Sequence, residues 1–151
     1  LDSDVVYVGG GNTANMLAVW RLHGVDRALR VAWRRGVVLC GVSAGSICWF
    51  ENGLTDSFGR PLKPLDDGLG FLRGSMCPHF DREGDRRPRL LAFLRAGRLP
   101  DGWAADDDAA LHFRGRALHA VVAARSDARG WRFERQRGRG LLLEPPGQGA
   151  A

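Results

Sequence analysis

The basic residues of this 151-residue chain include almost no lysine. Of 22 basic residues, all except Lys63 are arginine, and the net charge is +5. The arginines are scattered apart from Arg86-Arg87 and a cluster between residues 125 and 139. Because no nucleic-acid-binding motif accompanies this charge, we predict a solvated basic surface and no nucleic-acid partner.

Cysteine is also scarce, and long apolar runs are absent. Cys40, Cys48 and Cys77 are an odd number without C-x-x-C spacing, which argues against a disulfide framework and against a zinc site. They predict reduced thiols in a cytoplasmic protein. No apolar run approaches the roughly 18 residues of a membrane span, and no signal peptide is visible. We therefore predict no membrane partner.

The first third of the sequence alternates between strand and helix patterns. Val5–Val8 is a strand candidate, a helical pattern covers residues 15–34 with a break at Gly24, and Val37–Cys40 is a second strand. This rhythm predicts an α/β fold with a parallel sheet. Residues 54–64 look like a polar, turn-rich segment.

The rest of the chain has weaker patterns. We predict a short edge strand at 69–72, a strand end or loop at 76–81 and an amphipathic helix at 86–97. Residues 109–113 and 117–123 are typical of a β-hairpin, and 131–134 of an outer strand.

The central motif is Gly41-x-Ser43-x-Gly45, which follows the second strand. The apolar residues 47–50 fit the start of a helix. A serine between two glycines on a strand-to-helix turn is typical of a nucleophile elbow, because a Cβ at either flank would collide with the neighbouring elements. Alternatively, the motif has no catalytic role and occurs by chance, because the chain contains 21 glycines.

A nucleophilic serine needs a base and a carboxylate that orients the base. Of four histidines, His23 falls in a helix, and His112 and His119 fall in the hairpin. His79 instead follows Pro78 at the end of an apolar stretch. The run Asp106-Asp107-Asp108 could supply the carboxylate, although a solvated turn also explains it.

Two further patterns are weaker. In the glycine loop Gly9-Gly10-Gly11, the pattern Gly9-x-Gly11-x-x-Ala14 fits a loose dinucleotide fingerprint, but no acidic residue ends the next strand. In a hydrolase this loop would donate an N–H to an oxyanion. His79-x-Asp81-x-Glu83 could be metal ligands, but no second cluster supports them, so we predict no metal.

The motifs together resemble peptidase family S51, which includes peptidase E and is related to cyanophycinase. They are GGGNT at 9–13, GVSAGS at 41–46, CWF at 48–50, GLG at 68–70, PHFD at 78–81 and ADDDAALHFRG at 105–115. The resemblance implies a flavodoxin-like α/β fold with a mostly parallel sheet and helices on both faces. That fold is similar to class I glutamine amidotransferases, here with a C-terminal β-hairpin.

The resemblance also implies the site residues. Ser43 is the expected nucleophile, His79 the general base and Asp107 the acid, with Asp106 or Asp108 as alternatives for the acid. The expected oxyanion donors are the N–H groups of Gly10 or Gly11 and Ala44. The expected substrate contacts are Asn12, Arg86, Arg87 and Arg89.

The implied activity is serine-type hydrolysis of small peptides of the Asp-X type, without a cofactor and with a homodimer as the assembly. Two alternatives stay open: an inactive amidotransferase-like binding domain, and an esterase of different fold that uses His112 or His119. Family members usually carry about two more βα units before the position of Leu1. We therefore expect one N-terminally truncated domain at 1–144 and a disordered tail at 145–151.

Overall fold

The computed structural model describes residues 3–82, 84–135 and 141–144, and gives the backbone alone for the last of these ranges. The helices are α1 (Thr13–His23), α2 (Val25–Arg34), α3 (Ala44–Ile47) and α4 (Arg86–Arg95). The strands are β1 (Val5–Val8), β2 (Val38–Gly41), β3 (Phe50–Thr55), β4 (Lys63–Leu65), β5 (Leu72–Cys77), β6 (Gly102–Ala105), β7 (Ala109–Arg114), β8 (Ala117–Ala123), β9 (Gly130–Arg135) and β10 (Leu141–Glu144). The expected tail at 145–151 lies outside the described residues.

The described residues form a mixed α/β structure with three sheets. β1 and β2 pair in parallel. A six-stranded sheet has the order β10-β9-β6-β5-β3-β4, with parallel pairing at its centre between β3, β5 and β6 and antiparallel pairing towards both edges. β7 and β8 form a separate antiparallel hairpin inserted between β6 and β9. The predicted α/β class with a parallel-rich sheet is confirmed.

Two apolar clusters, each with residues from helices, pack against the central strands of the six-stranded sheet. Successive strand residues point to opposite faces, so Met76 packs in a cluster with Leu17 of α1 and Leu29 of α2. Its neighbour Cys77 packs in a second cluster with Leu90 of α4. The core is therefore two apolar layers, one on each side of the central parallel strands.

The helical break at Gly24 is confirmed. Gly24 has φ 73° and separates α1 from α2. Only a residue that adopts the left-handed region readily fits there, and glycine does so without a Cβ penalty. The predicted helix at 86–97 is also confirmed, with Gly97 at φ 67° just beyond its end.

Four element predictions were wrong. The helix after Gly45 is the single turn α3, and residue 50 already belongs to β3. The polar, turn-rich segment expected at 54–64 is a turn only at 56–62, because its ends belong to β3 and β4. Residues 69–72 are not an edge strand, because β5 begins at Leu72 and lies between β3 and β6. β9 is not an outer strand, because β10 pairs with its other side.

In the part of the chain that the structure describes, no helix is long and apolar enough to cross a membrane.

Candidate active site

Ser43 lies on the sharp turn between β2 and α3. Its backbone has φ 55° and ψ −116°, a conformation that costs a non-glycine residue about 1–3 kcal/mol. The flanking glycines explain how the turn closes: a Cβ on Gly41 would overlap the carbonyl of Gly45, and a Cβ on Gly45 would overlap the carbonyl of Val8. The Ser43 side chain makes no capping bond to α3. The hydroxyl is thus held on a tight corner and is not used to stabilise the helix.

The glycine loop after β1 lies beside this corner. A Cβ built on Gly10 would be 3.3 Å from Ser43 Cβ and 3.8 Å from Ser43 Oγ. Gly11 has φ 147°, which glycine adopts readily. Ala44 begins α3, and N–H groups in a first helical turn have no intrahelical acceptor. The structure therefore brings Gly10 next to Ser43, and Ala44 is the residue that directly follows Ser43.

Asn12 caps the helix that follows the glycine loop. Its Oδ1 accepts a hydrogen bond from Asn15 N at 2.9 Å, and its Nδ2 donates to Ser57 O at 2.9 Å. Ser57 Oγ in turn accepts from Ala14 N at 3.2 Å. Both polar atoms of the Asn12 amide are therefore hydrogen-bonded within the protein. The bond from Nδ2 joins the glycine loop to the turn after β3.

His79 and Asp107 lie on loops after two neighbouring parallel strands, β5 and β6. His79 Nδ1 is 2.6 Å from Asp107 Oδ1. An ionised carboxylate only accepts hydrogen bonds, so Nδ1 is the donor in this contact, and in the neutral form of the ring Nε2 then carries the lone pair. His79 also has a positive φ of 55°. The histidine and carboxylate expected from the sequence are therefore in direct contact.

The three consecutive aspartates have three different environments. Asp106 is buried, and its two oxygens accept from Trp131 Nε1 at 3.0 Å and from Arg129 N at 2.8 Å. Asp107 contacts His79. Asp108 accepts from Arg125 Nε at 2.9 Å. Among the three, Asp107 is the carboxylate that meets the imidazole.

Arg125 and Asp81 form an ionic cluster beneath this contact. Arg125 Nη2 is 2.9 Å from Asp81 Oδ2, and Asp81 Oδ1 accepts from Asp107 N at 2.7 Å. Desolvation acts to raise the pKa of Asp81, but hydrogen bonds from the backbone N–H groups of Asp107 and Asp81 and from Arg125 lower it below its ordinary value of 3.8. Desolvation likewise acts to lower the pKa of Arg125, but bonds to Asp81 and Asp108 raise it above its ordinary value. Both groups are therefore charged at neutral pH.

The arginines expected at the substrate differ in exposure. Arg86 is buried, and its Nη1 donates to Leu54 O at 3.2 Å, which does not fit contact with a substrate. Arg87 and Arg89 are exposed. The Arg87 guanidinium lies over the ring of Phe80, 5.8 Å from its centroid. Arg87 is thus next to the residue that follows His79.

The other candidate bases and metal ligands are arranged differently. His112 and His119 are exposed on the hairpin and pack against each other, with ring centroids 5.1 Å apart. Glu83 lies outside the described residues. Among the residues with described positions, no group of three or more His, Cys, Asp or Glu side chains could hold a metal ion.

Comparison with known proteins identifies the family. A family model described as peptidase family S51 matches residues 1–121. The chain belongs to peptidase family S51. It is 53% identical over 132 residues to the "Uncharacterized peptidase YgaJ" of Bacillus subtilis (strain 168). The aligned residues cover 87% of this chain and 56% of that protein. The chain thus spans about half the length of the curated relative that it matches.

Sequence reasoning missed two residues of this S51 site. The sequence pattern indicates Asp81 only as a possible metal ligand and as part of the PHFD motif, and Arg125 only as part of a basic cluster. Arg125 also lies beyond the matched residues 1–121. The signal that could have found Arg125 is charge: three adjacent aspartates repel one another, so a cation from elsewhere in the chain is expected beside them.

Proposed function

We propose that this S51 chain carries the catalytic residues of a serine peptidase that cleaves small peptides through an acyl-enzyme. The contact between His79 Nδ1 and Asp107 Oδ1 at 2.6 Å carries the proposal. A histidine held in this tautomer is the base that a serine needs, and Ser43 occupies a strained, glycine-flanked turn. α3 packs against β5, the strand that leads to His79. We place Ser43 and His79 across a cleft of a flavodoxin-like fold, similar to class I glutamine amidotransferases.

The proposed chemistry is acyl transfer. Ser43 Oγ attacks the peptide carbonyl while His79 Nε2 accepts its proton, and Asp107 stabilises the imidazolium that forms. Backbone N–H groups of Gly10 or Gly11 and of Ala44 donate to the oxyanion. His79 then donates the proton to the leaving amine, and water releases the acyl group by the same steps in reverse. Water is the second reactant: its OH joins the acyl group, its proton returns through His79 to Ser43 Oγ, and both side chains end in their starting forms.

The first substrate to test is an Asp-X dipeptide. Arg87 is exposed beside the His79 loop, and a guanidinium binds a carboxylate through two parallel hydrogen bonds. Arg89 is the second candidate for this contact. We expect Arg87→Ala to raise the KM for Asp-X more than the KM for Ala-X, because only the first substrate loses a charged partner. As an assembly partner we propose a second copy of the chain.

The test uses a fluorophosphonate probe and Asp-X hydrolysis on four proteins: wild type, Ser43→Ala, His79→Ala and His112→Ala. We expect the adduct on Ser43 in wild type, no adduct in Ser43→Ala, and a roughly 10³-fold or greater loss of rate in His79→Ala. His112→Ala is the matched control and should behave as wild type.

Two results would contradict the proposal. An unlabelled wild type that still binds peptides would indicate an inactive binding domain. Labelling that survives in His79→Ala but is lost in His112→Ala would indicate an esterase that uses the hairpin histidines.

A further inference from the structure

The His79–Asp107 contact depends on two loops that are not fixed by regular secondary structure. His79 has φ 55° and Asp108 has φ 65°, so both loops pass through the left-handed region at non-glycine residues. Such conformations persist where surrounding contacts over-determine them. The His79–Asp107 bond therefore requires other residues that hold the two loops together.

Arg125 contacts both loops with one side chain. Its Nη2 donates to Asp81 Oδ2 at 2.9 Å on the His79 loop. On the second loop, Nε donates to Asp108 Oδ2 at 2.9 Å and Nη2 donates to Asp107 O at 3.2 Å. The guanidinium thus binds the Asp81 carboxylate on the first loop, and the Asp107 carbonyl and the Asp108 carboxylate on the second.

Asp81 completes the connection from the other side. Its Oδ2 binds Arg125, while its Oδ1 accepts from the backbone N–H of Asp107 at 2.7 Å. The peptide groups on both sides of Asp107 are therefore bonded, the N–H to Asp81 and the C=O to Arg125. Rotation of the Asp107 backbone, which would turn its carboxylate away from His79, requires both bonds to break.

We propose that Arg125 is a positioning residue that holds Asp107 against His79. The expected effect on Ser43 reactivity rests on the proposed function. The expected effect on the His79–Asp107 bond rests on geometry alone. A planar guanidinium with five donors can reach two carboxylates and a carbonyl at once, whereas a lysine ammonium is a single point. An isolated exposed ion pair contributes little, but Arg125 is two-thirds buried at its side chain and part of a network.

Asp127 provides an internal control. Its two oxygens are each 3.1 Å from Arg125 Nη1, and its side chain is 75% exposed. It binds the same guanidinium, and neither of these two bonds involves the His79 loop or the Asp107 loop. If Arg125 acts by holding the loops, removal of Asp127 should leave the His79–Asp107 bond intact.

The experiment measures two independent signals in wild type, Arg125→Ala, Arg125→Lys and Asp127→Ala. The first is the downfield NMR resonance of the His79 Nδ1 proton, which reports the bond to Asp107 whether or not the protein is a peptidase. The second is the rate of fluorophosphonate labelling at Ser43. Arg21→Ala removes another arginine that bonds a carboxylate and backbone carbonyls, those of Asp67 and Gly68, and it controls for lost stability.

We expect Arg125→Ala to lose the resonance and to slow labelling by about tenfold to a hundredfold, because small displacements of catalytic groups have such effects. Asp127→Ala and Arg21→Ala should keep both signals, and Arg125→Lys should fall between. If Arg125→Ala does not fold, reduced signals in folded Arg125→Lys support the inference.

A wild-type resonance and labelling rate in Arg125→Ala would overturn the inference, as would the absence of the resonance from wild type. If wild type is never labelled but Arg125→Ala still loses the resonance, the peptidase proposal fails while the positioning role stands.

Discussion

Three individual residues carry the backbone strain of the part of the chain that the structure describes. In the described ranges, the non-glycine residues with positive φ are Ser43, His79 and Asp108. Strained residues of this kind cluster at functional sites, where the surrounding structure holds them in place. Two of the three are proposed catalytic residues, and the third directly follows Asp107. Their coincidence supports a common role for the three loops.

Gly45 is the residue on which the Ser43 turn depends most. We expect Gly45→Ala to lower the free energy of unfolding by about 1–3 kcal/mol and to slow probe labelling, because the new Cβ would overlap the Val8 carbonyl. Urea denaturation measures the first effect. Gly9→Ala is the matched control, since nothing lies within 4 Å of its added Cβ. Equal stability of the two variants would show that the turn relaxes without cost.

Cys48 should be chemically inert in the folded protein. Burial raises the pKa of its thiol to about 12, and the thiol donates to Gly45 O at 3.3 Å. We expect iodoacetamide at about pH 8.5 to modify half-buried Cys40 and to leave Cys48 unmodified until the protein unfolds. Peptide mass spectrometry measures both sites. Modification of Cys48 as fast as Cys40 would contradict the expectation.

The raised pKa of the Cys48 thiol also predicts that the free energy of unfolding depends on pH. The ordinary pKa of Cys48 is 9.0, so between pH 9.0 and about 12 the unfolded thiol ionises while the folded one does not. The unfolded state then binds fewer protons, and the free energy of unfolding falls as the pH rises. Alkaline denaturation series should therefore show a shallower decrease in Cys48→Ala than in wild type.

Among the secondary-structure elements, the start of α1 is fixed from outside the helix. Ser57 Oγ accepts from Ala14 N at 3.2 Å and lies 2.7 Å from Thr55 Oγ1, and Ser57 O accepts from Asn12. The turn after β3 therefore holds the glycine loop that precedes α1. Since Gly10 lies beside Ser43, this turn contributes to the geometry of the proposed oxyanion site.

Ser57→Ala tests that connection. We expect a loss of about 1 kcal/mol in the free energy of unfolding, because Ala14 N loses its acceptor, together with slower labelling of Ser43. Ser57→Thr keeps the hydroxyl and should recover both. Asp56→Ala, at an exposed position of the same turn, is the control. Unchanged labelling in a destabilised Ser57→Ala would limit the role of this turn to stability.

How far the sequence predicted these elements depends on where the decisive contacts are. The opening strands and helices were predictable because apolar spacing and Gly24 are local signals. β3 was not, since Asn52-Gly53 within it is typical of a turn. Its state is decided by pairing with β4 and β5.

The site shows the same division. The Ser43 turn is encoded by its flanking glycines, so sequence alone predicted it. Which of three adjacent aspartates meets His79 depends on the path of a loop, and on Arg125, Trp131 and Arg129 from later in the chain. No local pattern contains that information.

The whole molecule exposes an apolar surface on the β1–β2 pair. Val5 and Val38 are register partners and are 54% and 57% exposed, and Tyr7, on the same face of β1, is 66% exposed. Neighbouring exposed apolar side chains on a short sheet favour association with another surface. This face is the candidate contact for the proposed second copy.

Sedimentation velocity measures that association. We expect the apparent mass of the chain to rise with concentration, and Tyr7→Lys to reduce the rise because a buried charge is costly. Phe58→Lys is the control, since Phe58 is 52% exposed but lies in the turn after β3. Identical sedimentation of wild type and Tyr7→Lys would exclude this face.

The β7–β8 hairpin has a consequence for engineering. Its base is closed by Ala124 N donating to Asp108 O at 2.8 Å, and its tip turns at Gly115, which is exposed and has nothing within 4 Å of an added Cβ. A foreign peptide spliced in at Gly115 would extend away from the closed base. The hairpin is therefore a natural place to attach a reporter or an affinity tag while Asp107 keeps its alignment.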